Sequence, residues 1–133
     1  MNDALVAQLK LHEGKRNLPY EDTEGYLTIG YGHNLDVPLS DKAIEQILLD
    51  DIETAESELD RLLPWWKELD EPRQNVLVDM MFNLGAPRFM TFQKLLKALL
   101  ERDYEKAADE MLDSKWYTQV GTRAEVLADM MRG

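Results

Sequence analysis

The chain has 133 residues, with 15 Lys and Arg against 26 Asp and Glu, a net charge of −11, two histidines and no cysteine. That length suits one domain burying roughly two-thirds of its unfolded surface, enough for a core without staples. Without cysteine there is no disulfide or thiol chemistry, two histidines argue against a metal site, and the acidic balance argues against nucleic acid, which needs a basic patch.

No cofactor is therefore expected. No apolar run approaches the ~18 residues that cross a bilayer, and Met1-Asn2-Asp3 shows neither the basic segment nor the apolar stretch of a signal peptide. The expectation is a protein with no stable membrane insertion.

In chain order, Leu5, Leu9 and Leu11, with Val6 and Ala7, predict a short N-terminal helix that Gly14 ends with a positive φ. Glu13 then sits at the negative end of the helix dipole, a place that disfavours a carboxylate anion and suits a proton donor. Leu18 to Tyr20 and Tyr26 to Tyr31 read as strands around the polar turn Glu21-Asp22-Thr23-Glu24-Gly25. Asp22 in that turn is expected to stay ionised. Two carboxyls of opposite protonation facing one cleft are a glycosidase arrangement, with one acid protonating the leaving oxygen. In so acidic a chain, the same residues also read as a surface Glu and an ordinary turn Asp.

Beyond the hairpin the chain reads as helical. Ser40 caps a long helix whose apolar positions, Ile44, Ile47, Leu48, Ile52, Ala55, Leu59, Leu62 and Leu63, keep a helical period until Pro64. Asp70 and Pro72 open another, with Val76, Leu77, Met80, Met81 and Leu84 inside and Gly85 stopping it. Thr91 and Asp103 read as caps of two more, and Thr122 opens the last. Met80, Met81, Met111, Met130 and Met131 read as core filler. Trp65-Trp66 could stack on a sugar, but their place after the long helix favours packing, and Trp116 reads the same way. His33 could be a base, although a structural partnership with Asp50 or Asp51 is the favoured reading.

Glu13-Gly14 followed by Tyr20-Glu21-Asp22-Thr23-Glu24-Gly25-Tyr26-Leu27-Thr28-Ile29-Gly30-Tyr31-Gly32-His33 resembles the active-site hairpin of the phage-type lysozymes, glycoside hydrolase family 24. In that family a Glu, an Asp or Cys and a Thr form the catalytic set, and Glu13, Asp22 and Thr28 match it. Phe82-Asn83-Leu84-Gly85 resembles the family's F-N-x-G segment; Asp103-Tyr104, Ala107-Ala108, Trp116 and Arg123 continue in family order. The resemblance runs from about Leu9 to Arg132.

The resemblance implies a mostly α, α+β, two-lobed lysozyme-like domain: N-terminal helix and β lobe over about 1–38, linking helix over 39–63, helical lobe over 64–133. It implies a muramidase cutting between N-acetylmuramic acid and N-acetylglucosamine in peptidoglycan. Glu13 would protonate the glycosidic oxygen, Asp22 stabilise charge on the sugar or steer water, and Thr28 hold that water on the opposite face of the ring. Tyr20, Asn34, Phe82, Asn83 and Arg123 are the expected substrate-binding residues; Arg123 either pairs with Glu13 or is a surface helix residue. Direct water attack implies carboxyls roughly 6.5–9.5 Å apart. Peptidoglycan strands are the expected partner, the monomer the expected state, and the host cytoplasm the expected location before release to the wall.

Two departures stand out. Leu95 occupies a position, three after Phe92, where the family often has Ser or Thr. The charge of −11 is also opposite to that of many wall lysozymes, whose basic surfaces hold an anionic polymer. The acidity motivates two alternatives: a hydrolase of chitosan or chitin-like polymers, and a catalytically weak glycan-binding module.

Overall fold

In the computed structural model, residues 2–133 are described; Met1, where the signal-peptide reading begins, lies outside them. The chain folds as two compact units, with the division in the sequence between Glu45 and Gln46.

The first unit opens with helix α1, Asp3–Glu13, whose N-terminus is capped by Asn2 Oδ1 accepting from the Leu5 amide at 3.0 Å. Gly14 ends it as expected, with φ 72° and its amide donating to the Lys10 carbonyl at 3.1 Å. Three strands follow, β1 (Arg16–Glu21), β2 (Leu27–Gly30) and β3 (His33–Asn34), paired antiparallel in that order. The two predicted strands thus become a three-stranded meander. The run Tyr26 to Tyr31 breaks because Gly30 and Gly32 take positive φ and turn the chain.

Helix α2, Asp41–Leu62, starts in the first unit and continues in the second. Ser40 Oγ accepts from the Ala43 amide at 3.1 Å, the expected cap, and Pro64 prevents continuation. Within the second unit a 3-10 turn, Trp66–Glu68, precedes α3 (Glu71–Leu84), α4 (Ala86–Phe89), α5 (Gln93–Leu100), α6 (Tyr104–Leu112), α7 (Lys115–Val120) and α8 (Thr122–Arg132). The sequence pattern had no signal for the short turns of α4 and α7. Thr91 is not the cap of α5: its hydroxyl donates back to the Arg88 carbonyl at 2.6 Å, and Phe92 holds the N-cap position. Asp103 does cap α6, accepting from the Lys106 amide at 3.1 Å.

The core of this unit joins Leu59, Trp66, Leu77, Met80, Phe89, Leu99, Met111 and Met131, all essentially inaccessible. Each such side chain contributes about 1.5–3 kcal/mol of burial free energy before entropy is counted. Ala107 and Ala108 of α6 and Ala124 and Ala128 of α8 are also buried, and their small side chains let the two helices pack closely. The predicted packing roles of Trp66 and Trp116 hold: Trp66 donates its indole N–H to Asp60 at 2.7 Å, and Trp116 meets Phe92 edge to face. No described helix is long and apolar enough to cross a membrane.

Candidate functional site

Glu13 is the last residue of α1, so its carboxylate stands where the helix presents unpaired carbonyls. The carboxyl packs against the backbone of Gly32 in the turn between β2 and β3: a Cβ built on Gly32 would fall 2.5 Å from Glu13 Oε2.

Asp22 follows β1 and organises the next turn. Its Oδ1 accepts from the amides of Glu24 and Tyr26, both at 2.9 Å, while its own amide donates to the Tyr26 carbonyl at 2.9 Å. The carboxylate is therefore oriented by backbone. Gly25, at φ 85°, closes the turn.

Strand register brings three of the expected residues together. Tyr20 of β1 is opposite Thr28 of β2, and Thr28 is opposite Asn34 of β3. Directly opposed residues in antiparallel strands project to the same face, so Tyr20, Thr28 and Asn34 form one rung on one side of the sheet. Thr28 is 4% exposed, the only polar residue buried among those described. Its hydroxyl donates to the Tyr26 carbonyl at 2.9 Å, leaving its oxygen able to accept. Asn34 Oδ1 accepts from the Asp36 amide at 2.9 Å, and the Arg16 guanidinium lies 5.2 Å from the centre of the Tyr20 ring. His33, opposite Ile29, has a buried Nε2 with no hydrogen-bond partner among the described residues. Within α2, Asp50 accepts from the Gln46 side chain at 2.9 Å, one helical turn away.

In the second unit, Phe82 and Arg123 line a pocket of about 350 Å³ with Leu48, Ile52, Asn75, Val78 and Asp79. Arg123 does have a carboxylate partner, but it is Asp79 of α3, with contacts of 2.7 and 2.9 Å to one oxygen. One acid among 26 gave no sequence signal for that pairing. Asn83 gives its side-chain oxygen to the Trp116 indole N–H at 2.7 Å, so its amide nitrogen is the group left to offer. A second pocket of about 760 Å³ includes Arg88, Phe92, Lys94, Glu110, Lys115 and Trp116. Leu95 borders it yet is itself buried, so the apolar residue at the expected Ser/Thr position serves the core.

Known proteins resemble this chain over most of its length. The sequence profile of the family described as "Phage lysozyme" matches residues 10–132. The protein named "Probable T4-type lysozyme 1" of Dictyostelium discoideum is 29% identical, aligning 93% of this chain with 91% of its own length. The endolysin of Salmonella phage P22 is 27% identical over 80% of this chain and 77% of its own. The endolysin of Bacillus phage B103 is 32% identical over 87% of this chain, which spans 45% of that longer protein. By the match over nearly its whole length, the chain belongs to the phage lysozyme family and is a glycoside hydrolase of the lysozyme type.

Proposed function

We propose that this lysozyme hydrolyses the β-1,4 bond between N-acetylmuramic acid and N-acetylglucosamine in peptidoglycan, by proton donation from Glu13 and direct attack of water. The observation that carries the proposal is the first unit's division of labour: a carboxyl at a helix end, a carboxylate fixed by turn amides, and a hydroxyl on the central strand. Glu13 gives its proton to the glycosidic oxygen as the bond to the anomeric carbon breaks. Water adds to that carbon from the opposite face. Thr28, already donating to Tyr26, accepts a hydrogen bond from this water and so aims its lone pair at the sugar. The second oxygen of Asp22 faces the developing positive charge and receives the water's proton. A single displacement inverts the anomeric centre and needs the two carboxyls roughly 6.5–9.5 Å apart.

Tyr20 and Asn34, beside Thr28 on the rung, and Phe82, Asn83 and Arg123 of the second unit would contact the glycan. The name endolysin of the phage relatives favours lysis of a host wall; a host-cytoplasmic location before release and a single chain as the working unit belong to the same proposal. The net charge of −11 favours one competing reading, a hydrolase of cationic chitosan.

Turbidity clearing of purified walls decides between these, run with Glu13→Gln and beside a chitosan digestion. Loss of general-acid catalysis should slow wall lysis by about 10²–10⁴-fold. Equal lysis by the variant would remove Glu13 from the mechanism, and cleavage of chitosan alone would remove the muramidase reading. Wall binding without cleavage would leave a glycan-binding module. The first-formed product anomer, read by NMR, should be inverted; a retained anomer would overturn direct water attack.

A further inference from the structure

We propose that Gly32 is a positioning residue for the Glu13 carboxyl, an inference resting on Glu13 as the proton donor. A Cβ at Gly32 would lie 2.5 Å from Oε2, 3.0 Å from Cδ and 3.4 Å from Cγ of Glu13. Bare backbone at this place is what gives the carboxyl its room. A positive φ does not by itself explain the glycine. Gly14, Gly25 and Gly30 of the same unit have φ 72°, 85° and 70°, close to the 75° of Gly32, and a Cβ on any of them meets nothing within 4 Å.

That contrast supplies the control. Gly30→Ala and Gly32→Ala each place an L residue at nearly the same positive φ, 70° and 75°. Only Gly32→Ala collides with Glu13. The cheapest relief is for the carboxyl, the free end of a flexible side chain, to swing away. Stability then falls equally in both variants, whereas the position of the proton donor changes in one. Misplacing a reacting group by about 1 Å costs on the order of 10²-fold in rate.

The experiment measures kcat, KM and melting temperature for Gly30→Ala, Gly32→Ala, Glu13→Gln and the Gly32→Ala/Glu13→Gln pair on soluble peptidoglycan fragments. Expected are matched melting temperatures for the two alanine variants and a kcat for Gly32→Ala at least tenfold below that of Gly30→Ala at similar KM. In the Glu13→Gln background, adding Gly32→Ala should change the residual rate less than twofold, because no donor remains to misplace. Equal kcat values for the two alanine variants, with Glu13→Gln inactive, would overturn the role of Gly32 and leave Glu13 standing. Full activity in Glu13→Gln would instead overturn the donor itself. In the unsubstituted protein, nuclear Overhauser contacts between the Gly32 α protons and the Glu13 γ protons test the packing without any variant having to fold; their absence would overturn the proposal.

Discussion

Asp22 combines two roles that two substitutions can separate. Its Oδ1 holds the Glu24 and Tyr26 amides, and its charge serves the proposed chemistry. Asp22→Asn keeps a side-chain oxygen for both amides, so the melting temperature should stay near that of the parent while wall lysis collapses. Asp22→Ala removes the acceptor, and two turn amides lose a charged partner at about 1.5–3 kcal/mol each before water compensates. It should therefore melt clearly lower as well as being inactive. Equal thermal loss in both variants would show that the charge, not the turn geometry, holds this segment. At this scale, the proposed set Glu13, Asp22 and Thr28 could be picked from the sequence only because a resemblance singled these residues out from an acid-rich background. Gly32 could not, since its contact with Glu13 joins a helix end to a strand turn and leaves no periodic trace. The partner of Arg123 was hidden for a related reason: any of 26 carboxylates was a candidate.

Elements with strong local signals appeared where the sequence placed them. The Ser40 cap and Pro64 bracket α2, and Pro72 and Gly85 bracket α3. Those without such signals did not: α4 and α7 are too short to establish a period, and β3 is two residues long. Strand register, which aligns Tyr20, Thr28 and Asn34, depends on hairpin geometry rather than composition. Between elements, Arg73 shows what packing adds. From α3 it donates to the Met131 and Arg132 carbonyls at the end of α8, both at 2.7 Å, and its guanidinium stacks 3.6 Å from the Tyr104 ring centre. It also binds Asp70 at 2.9 Å. Arg73→Ala should cost about 3 kcal/mol, from helix-end carbonyls losing charged donors and from the lost cation–π contact. Asp70→Asn removes only the exposed part and should cost at most about 1 kcal/mol at neutral pH.

The Asp70 carboxyl lies below its ordinary value of 3.8, chiefly because Arg73 donates a hydrogen bond to it. A depressed folded-state value stabilises above the unfolded value and loses that contribution as pH falls through the folded one. The melting gap between parent and Asp70→Asn should thus be full above about pH 4 and close below 3.8, whereas the Arg73→Ala gap should persist in acid. A gap in Asp70→Asn that widened in acid would reverse the assignment.

For the whole molecule, the charge of −11 sets the terms of encounter with a wall. An anionic polymer repels this surface at long range, so association at low salt should be slowed, the reverse of the steering that opposite charges provide. Screening has a length of about 30 Å at 0.01 M salt and about 10 Å at 0.1 M, so added salt hides most of the repulsion between the protein and the wall. The initial rate of wall clearing should therefore rise over that range. A short uncharged chitooligosaccharide isolates the effect, because its encounter involves no net charge: any slow cleavage of it should not change with salt. Substituting exposed Asp and Glu by Asn and Gln far from Glu13 and Asp22 should flatten the salt curve on walls from the low-salt end. A rate that fell steadily from the lowest salt would mean that a local cationic patch, not the net charge, governs approach. Arg16 beside Tyr20 would be the first residue to substitute, since it is the cation nearest in register to the rung that carries Thr28.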